Sequence, residues 1–244
     1  MEKLRAFYKK IFARERLTLA VSSSSPSGFE GELCECIRPS GETPVHLGYS
    51  PIGVHSEAIE IPAQVGFAAL GARLSDAEGK LTGALLVARL ILNYEYLWSE
   101  VRVKGGAYGV SFRVRMDGGL GFTSYRDPSA EKSLDVFRSA AGFLREFAHS
   151  GVDLTKYIIG AVGEFDPYSS VSLKTSAATT NYLTGFTHED RLRIRGEILK
   201  TDADALLSVA DMLDRFAKVA SPVLVAPAST LDAKPTLFEE RLTL

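Results

Sequence analysis

Arg102 and Tyr108 bracket the run Val-Lys-Gly-Gly-Ala, so a cation and a phenol stand close together with Gly105, Gly106 and Gly109 around them. Arginine presents a planar fork of N–H donors, and a tyrosine hydroxyl can donate or accept. Glycine leaves room for a second backbone to approach, because no Cβ stands in the way. A cation, a phenol and bare backbone at a strand edge suit the holding of an extended peptide. Spacing alone also allows simpler roles. Tyr108 is in phase with Val110 and Phe112 and could be a core aromatic, and Arg102 could be a solvated cation at a helix end. Lys104 could attract a carboxylate, although an exposed strand-edge lysine is the simpler account.

Metal chemistry finds little support. The four histidines are His46, His55, His149 and His188, and none starts a His-x-x-Glu-His motif. His188-Glu189 opens like His-Glu-x-x-His, but position 192 is Leu, so two ligands one helical turn apart are missing. Polar capping at a helix start explains His188 and Glu189. Cys34 and Cys36 flank Glu35 and are too close in sequence to bridge without strain. They read as reduced thiols, the alternative being a metal pair assisted by His46. No metal ligand is assigned.

The elements that would position Arg102 and Tyr108 follow from periodicity. Lys80 to Val101 is almost continuously apolar, with Arg89, Asn93, Tyr96 and Glu100 recurring at helical spacing, which predicts a helix with one narrow wet stripe. A hairpin follows, with Tyr108, Val110, Phe112, Val114 and Met116 on one face, a turn at Asp117-Gly118-Gly119, and Leu120 to Tyr125 as second arm. Arg113 and Arg115 fall on the opposite, wet face. Asp127-Pro128 then caps a helix whose stripe is Leu134, Phe137, Ala141, Leu144 and Ala148, ended by Gly151. Arg126 pairs with Asp127 or lines a binding chamber.

Elsewhere a helix is predicted over residues 3–13, a short strand over Leu17–Val21, a turn-rich loop over Ser22–Gly28 and a short helix over Gly31–Ile37. An irregular stretch spans Pro39–Val54, and one long or broken strand spans Glu57–Leu74. Helices fill Asp153 to Ala217, with capping arrangements at Thr187-x-x-Asp190 and near Thr201. A last strand, Pro222 to Ala226, returns to the sheet. This order implies an α+β fold with a mainly antiparallel sheet and helices packed on one face.

The stretch from Tyr96-Leu-Trp-Ser-Glu-Val-Arg102 through Tyr108-Gly109, with Ser124-Tyr-Arg-Asp-Pro128 one hairpin later, resembles the C-terminal domain of pitrilysin/insulinase-class zinc metallopeptidases, of the presequence-protease and falcilysin subgroup. The resemblance extends over nearly the whole chain. It implies a ferredoxin-like sheet and a single zinc-free C-terminal domain over 1–244, with residues 1–14 a lead-in helix from a preceding region. It places the family's substrate-binding Arg and Tyr on Arg102 and Tyr108, beside Gly105 and Gly106. In such enzymes these reach across a closed chamber to zinc held in a first domain, where the Tyr108 hydroxyl would act catalytically by steadying a developing oxyanion. Cofactors implied are therefore none in this chain and zinc in a partner N-terminal domain. Partners are unfolded peptide substrates and the N-terminal catalytic half or a homologous subunit. The alternative is a non-catalytic subunit or scaffold paired with a separate zinc-bearing subunit.

Composition bounds these readings. The 244 residues carry 28 Lys+Arg against 30 Asp+Glu, a formal charge of −2. That balance lacks the basic field of a nucleic-acid binder. The longest apolar run, Leu81 to Trp98, is broken by Arg89, Asn93 and Glu95 and falls short of a bilayer span. A soluble protein of the cytoplasm or an organelle matrix is expected. At 45% hydrophobic content, one sizeable core is within reach.

Overall fold

Pro62 and Gly66 interrupt the stretch expected to form one long or broken strand from Glu57 to Leu74. The computed structural model describes residues 1–21, 25, 28–39, 41, 56–232 and 237–243, and in it this stretch is two strands that do not pair with each other. They are β1 (Glu57–Glu60) and β2 (Phe67–Arg73). With β3 (Gly109–Val114), β4 (Gly119–Tyr125), β5 (Ser221–Ala226) and β6 (Glu240–Thr243) they form a six-stranded sheet of order β3-β4-β2-β5-β1-β6. The β3-β4-β2-β5 portion is antiparallel, whereas β1 is parallel to both β5 and β6. The sheet is mixed, which corrects the mainly antiparallel expectation at its far edge. Parallel neighbours require crossover connections, and these long returns leave no turn signature to read.

The described residues gather into two units: Met1–Ile52 with Tyr168–Thr187, and Gly53–Pro167 with His188–Leu244. The first unit holds α1 (Glu2–Ile11), α2 (Phe29–Cys36) and α7 (Val171–Thr184). Leu17–Val21, expected as a strand, joins no sheet and instead lines a groove of about 540 Å³ with Lys174, Ala178 and Tyr182 of α7. A lone strand without a partner leaves its backbone unpaired, so alternation alone could not make one. Cys34 is half-buried and Cys36 exposed, both as free thiols. Most of Ser22–Gly28 and Pro39–Val54, with His46 and His55, lies outside the described residues.

The second unit contains the sheet and its helices: α3 (Gly83–Ile91), a π-helical continuation (Leu92–Lys104), α4 (Ala130–Arg138), α5 (Ala140–His149), α6 (Thr155–Phe165), α8 (His188–Leu199), α9 (Ala203–Val219) and the short α10 (Ala228–Leu231). Thr82 and Asp202 cap α3 and α9 by accepting from Leu85 N and Ala205 N. Alternation sorts the sheet into two faces. Phe112 and Phe122 stack at 4.2 Å, and Phe122 meets Phe137 of α4 at 5.4 Å and Phe216 of α9 at 5.8 Å. Ala68, Leu70, Leu120 and Leu224 complete this buried side. The expected stripe of Leu134, Phe137, Ala141, Leu144 and Ala148 is buried, but Ser139 divides it into α4 and α5, its hydroxyl donating to Asp135 O.

The wet stripe of the long helix is a correction. Asn93 is half-buried and clamps the outer edge of β3, its Nδ2 donating to Phe112 O at 3.0 Å and its Oδ1 accepting from Phe112 N at 2.7 Å. Tyr96 stacks on Phe143 at 4.7 Å and donates to Val136 O at 3.0 Å. Burial, with a smaller contribution from Glu100, pushes the Tyr96 phenol up to about 12. These polar groups satisfy buried backbone, which period alone cannot distinguish from solvation.

Candidate functional site

The long helix ends by handing the chain to an edge strand through two glycines, each with its own reason. A Cβ on Gly105 would lie 2.5 Å from Val101 O, and Gly106 has φ +80, a region that favours glycine. Gly106 N donates to Arg102 O at 3.1 Å and Ala107 N to Val101 O at 3.1 Å, which folds the chain tightly back over the last helical turn. Ala107 is thereby buried, and Tyr108 is left standing in solvent with 67% of its surface exposed. The core-aromatic reading of Tyr108 fails, even though it is in phase with buried Phe112. Its strand begins only at Gly109, so Tyr108 lies in the turn and not in the sheet.

Arg102 is half-buried and occupies the inside of this turn. Its Nη1 donates to Ala107 O at 3.3 Å and also to Tyr108 O. Its guanidinium lies over the Trp98 ring at 4.7 Å and the Tyr108 ring at 5.5 Å. Arg102 is thus no freely solvated helix-end cation. It holds the backbone that presents Tyr108, while its remaining donors have no partner among the described residues. Tyr108 N donates to Tyr125 O at 3.1 Å and Arg126 O at 3.3 Å, pinning the turn to the end of β4.

The second motif is equally fixed. Asp127 is buried, and its backbone pairs with Gly66 in both directions at 2.8 Å. Its carboxylate accepts from Ser129 N at 2.8 Å and Ser133 Oγ at 2.6 Å, so it caps the approach to α4 and does not pair with Arg126. Two hydrogen bonds from the chain itself leave it no need of a cation. Arg126 is exposed, with φ +48, in the left-handed region that costs an ordinary residue about 1–2 kcal/mol. Lys104 is exposed but closes the helix rather than lining a strand edge, and it pairs with Glu100 one turn back at 2.7 Å. Arg113 is exposed, and Arg115 pairs with Asp117 at the hairpin turn at 2.7 Å. His188 and Glu189 open α8. No group of three His, Cys, Asp or Glu side chains comes together among the described residues.

Sequence reasoning gave no role to three aromatic neighbours. Trp98 precedes Arg102 by one helical turn, so its place beside the guanidinium could have been read from spacing. Tyr125 meets Tyr108 edge-on at 6.0 Å and stands opposite Gly109, whereas the turn expected at Asp117–Gly119 would have set it opposite Ser111. Phe67, 5.4 Å from Tyr125, arrives on β2 from a long-range pairing that no local pattern carries.

Residues 56–230 match the family model for the PreP C-terminal domain. The chain belongs to that family. Among relatives of the PreP C-terminal domain, presequence protease 1 of Arabidopsis thaliana, chloroplastic/mitochondrial, is 34% identical over 196 residues, covering 80% of this chain and 18% of that protein. Protein HypA of Clostridium perfringens is 36% identical over 167 residues, covering 68% of this chain and 17% of that protein. The chain thus spans less than a fifth of these relatives. Two solved structures share the fold: a peptidase M16 inactive domain from Pseudomonas fluorescens (TM-score 0.59, 16% identity, 83% of this chain and 52% of that one) and a protease from Helicobacter pylori (TM-score 0.59, 15% identity, 83% and 53%). The resemblance to the C-terminal domain of a pitrilysin/insulinase-type peptidase holds. No helix among the described residues is long and apolar enough to cross a membrane.

Proposed function

We infer that this PreP-type C-terminal domain is the zinc-free, substrate-holding part of a metalloendopeptidase that degrades unfolded peptides in a closed chamber. The observation that carries the reading is the exposed Tyr108 hydroxyl on a turn locked by Arg102 and the Gly105-Gly106 exit. Both units belong to one C-terminal domain over 1–244, residues 1–14 leading in from a preceding region. Zinc held by a partner N-terminal half supplies an activated water when bound. On this chain, the free donors of Arg102 meet peptide carbonyls and Gly105-Gly106 admits the peptide backbone. The Tyr108 hydroxyl donates to the carbonyl oxygen as negative charge develops on it. Arg102 acts partly as a positioning residue, since it fixes the peptide unit that carries Tyr108.

A second reading keeps the fold and drops the chemistry: a non-catalytic subunit paired with a separate zinc-bearing homologue. The Pseudomonas fluorescens domain of the same fold, described as inactive, favours it.

Titrating the chain into a fluorescently labelled unfolded peptide tests the first reading, since a subunit or scaffold that only assembles need not bind peptide. Saturable binding is expected, weakened by Arg102→Ala and displaced by unlabelled peptide but not by a folded protein. Absence of any peptide binding overturns the substrate-holding role.

A further inference from the structure

The sheet face turned away from the core is graded from one end to the other. At one level Phe67, Val225 and Ile59 are register partners across β2, β5 and β1, and the Tyr125 ring of β4 lies against Phe67. Tyr125 is 51% exposed and Phe67 half-exposed, their rings edge-on at 5.4 Å. Two residues along each strand the level holds Ser111, Thr123, Ala69, Val223 and Glu57, with no aromatic. Two further along, Arg113, Gly121, Gly71 and Ser221 follow. An apolar wall thus stands beside a floor nearly free of side chains.

The two floor glycines are not required by the fold. A Cβ on Gly71 would lie 3.5 Å from Leu120 O and one on Gly121 3.8 Å from Leu70 O, both ordinary contacts, and neither glycine has positive φ. Glycine also weakens a strand interior, so two facing ones argue for something that approaches the bare backbone from outside. The wall is continuous with the Arg102–Tyr108 turn through the Tyr108 and Tyr125 rings. Exposed aromatics gathered in one row are informative where single exposed apolar residues are not.

We propose that Tyr125 and Phe67 form a side-chain subsite that selects a bulky apolar residue of an extended peptide whose backbone lies over the Gly71-Gly121 floor. This rests on the substrate-holding reading. The Tyr108-to-Phe67 path, taken through Tyr125, corresponds to about three residues of extended chain, so the selected residue lies a few positions from the carbonyl presented to Tyr108. The occupant is an apolar stretch, since Tyr125, Phe67, Thr123, Ala69, Gly71 and Gly121 carry no charge and the charges of this face, Arg113 and Glu57, stand on β3 and β1, to either side of them.

The test is a set of labelled Ala/Ser-rich peptides with one Phe placed at successive positions, titrated with the chain. At one position Phe should tighten binding about 10-fold over the Phe-free peptide, the scale of a filled apolar subsite. Tyr125→Ala and Phe67→Ala should each cut that preference, read as the ratio of Phe-bearing to Phe-free affinity for the same variant, to about 2-fold or less. Gly71→Val and Gly121→Val should weaken every peptide with no fall in melting temperature, because valine suits a strand. A preference that survives both aromatic truncations, equal binding of all peptides, or undiminished binding by the valine variants overturns the subsite while leaving the substrate-holding role intact. Failure of the wild-type chain to bind any peptide overturns that role and the subsite with it.

Discussion

The two units differ in what they bury. In the sheet-bearing unit Phe112, Phe122, Phe137 and Phe216 meet in one aromatic core. In the other, Ala13 is the one buried residue among those described, and α7 buries none. Leu4, Phe7, Tyr8 and Ile11 of α1 are exposed at the i, i+3, i+4, i+7 spacing of an apolar helix stripe. One unit carries its own core, and the other presents apolar faces that lack one. On the substrate-holding reading, those faces await the preceding part of the enzyme, through an interface of about 600–1,500 Å².

Truncation sharpens this contrast most. Phe122→Ala should destabilise the chain by about 3–5 kcal/mol in a denaturant titration, as loss of a buried ring does. Phe7→Ala should change it by about 0.5 kcal/mol or less, as a surface substitution does. Equal losses would mean that α1 is packed after all. In the presence of an N-terminal half, Phe7→Ala should instead weaken association.

Glycines should split in sign between the units. Gly105→Ala forces a Cβ onto Val101 O and should cost about 1–3 kcal/mol, as overpacking does, while loosening peptide binding through the displaced Tyr108. Gly31 lies inside α2, where an added Cβ would meet nothing within 4 Å, so Gly31→Ala should stabilise by about 0.5–1 kcal/mol. Thermal melts of the two variants moving in the same direction would contradict this.

The smallest effect is at the β3–β4 turn. The Arg115 side chain, then Gly119 N–H, holds the Asp117 carboxyl down at about 2 against an ordinary 3.8. A lowered folded pKa contributes stability above the unfolded value and loses it as pH falls, so this turn should weaken between 3.8 and about 2. A carboxyl-detected NMR titration should find that midpoint, and Arg115→Ala should move it upward.

What the sequence disclosed follows the range of each interaction. The long helix and the hairpin are local, so period and turn residues sufficed for their type, although the turn falls one residue earlier than expected and Ser129 is the N-cap of α4, with Asp127 bonded to Ser129 and Ser133 from ahead of the helix. The insertion of β5 between β2 and β1 and the parallel strand β6 depend on pairings across most of the chain and escape any local pattern. At the candidate site, it was the family resemblance and not spacing that singled out Arg102 and Tyr108, and neither disclosed that Arg102 would spend donors on its own chain or that Tyr108 would escape the core. Both depend on the Gly105-Gly106 reversal, whose geometry two glycines permit without specifying. Phe67 was invisible because only β2–β4 pairing brings it to Tyr125.

Turnover of an unfolded peptide by the complete enzyme, or by this chain joined with a zinc-bearing N-terminal half, compared between wild type and Tyr108→Phe, tests the central claim most directly. The ring stays and only the hydroxyl goes, so melting temperature should hold while turnover falls about 100–1,000-fold, the scale of losing one oxyanion donor. Wild-type turnover in Tyr108→Phe would contradict the role assigned to that hydroxyl.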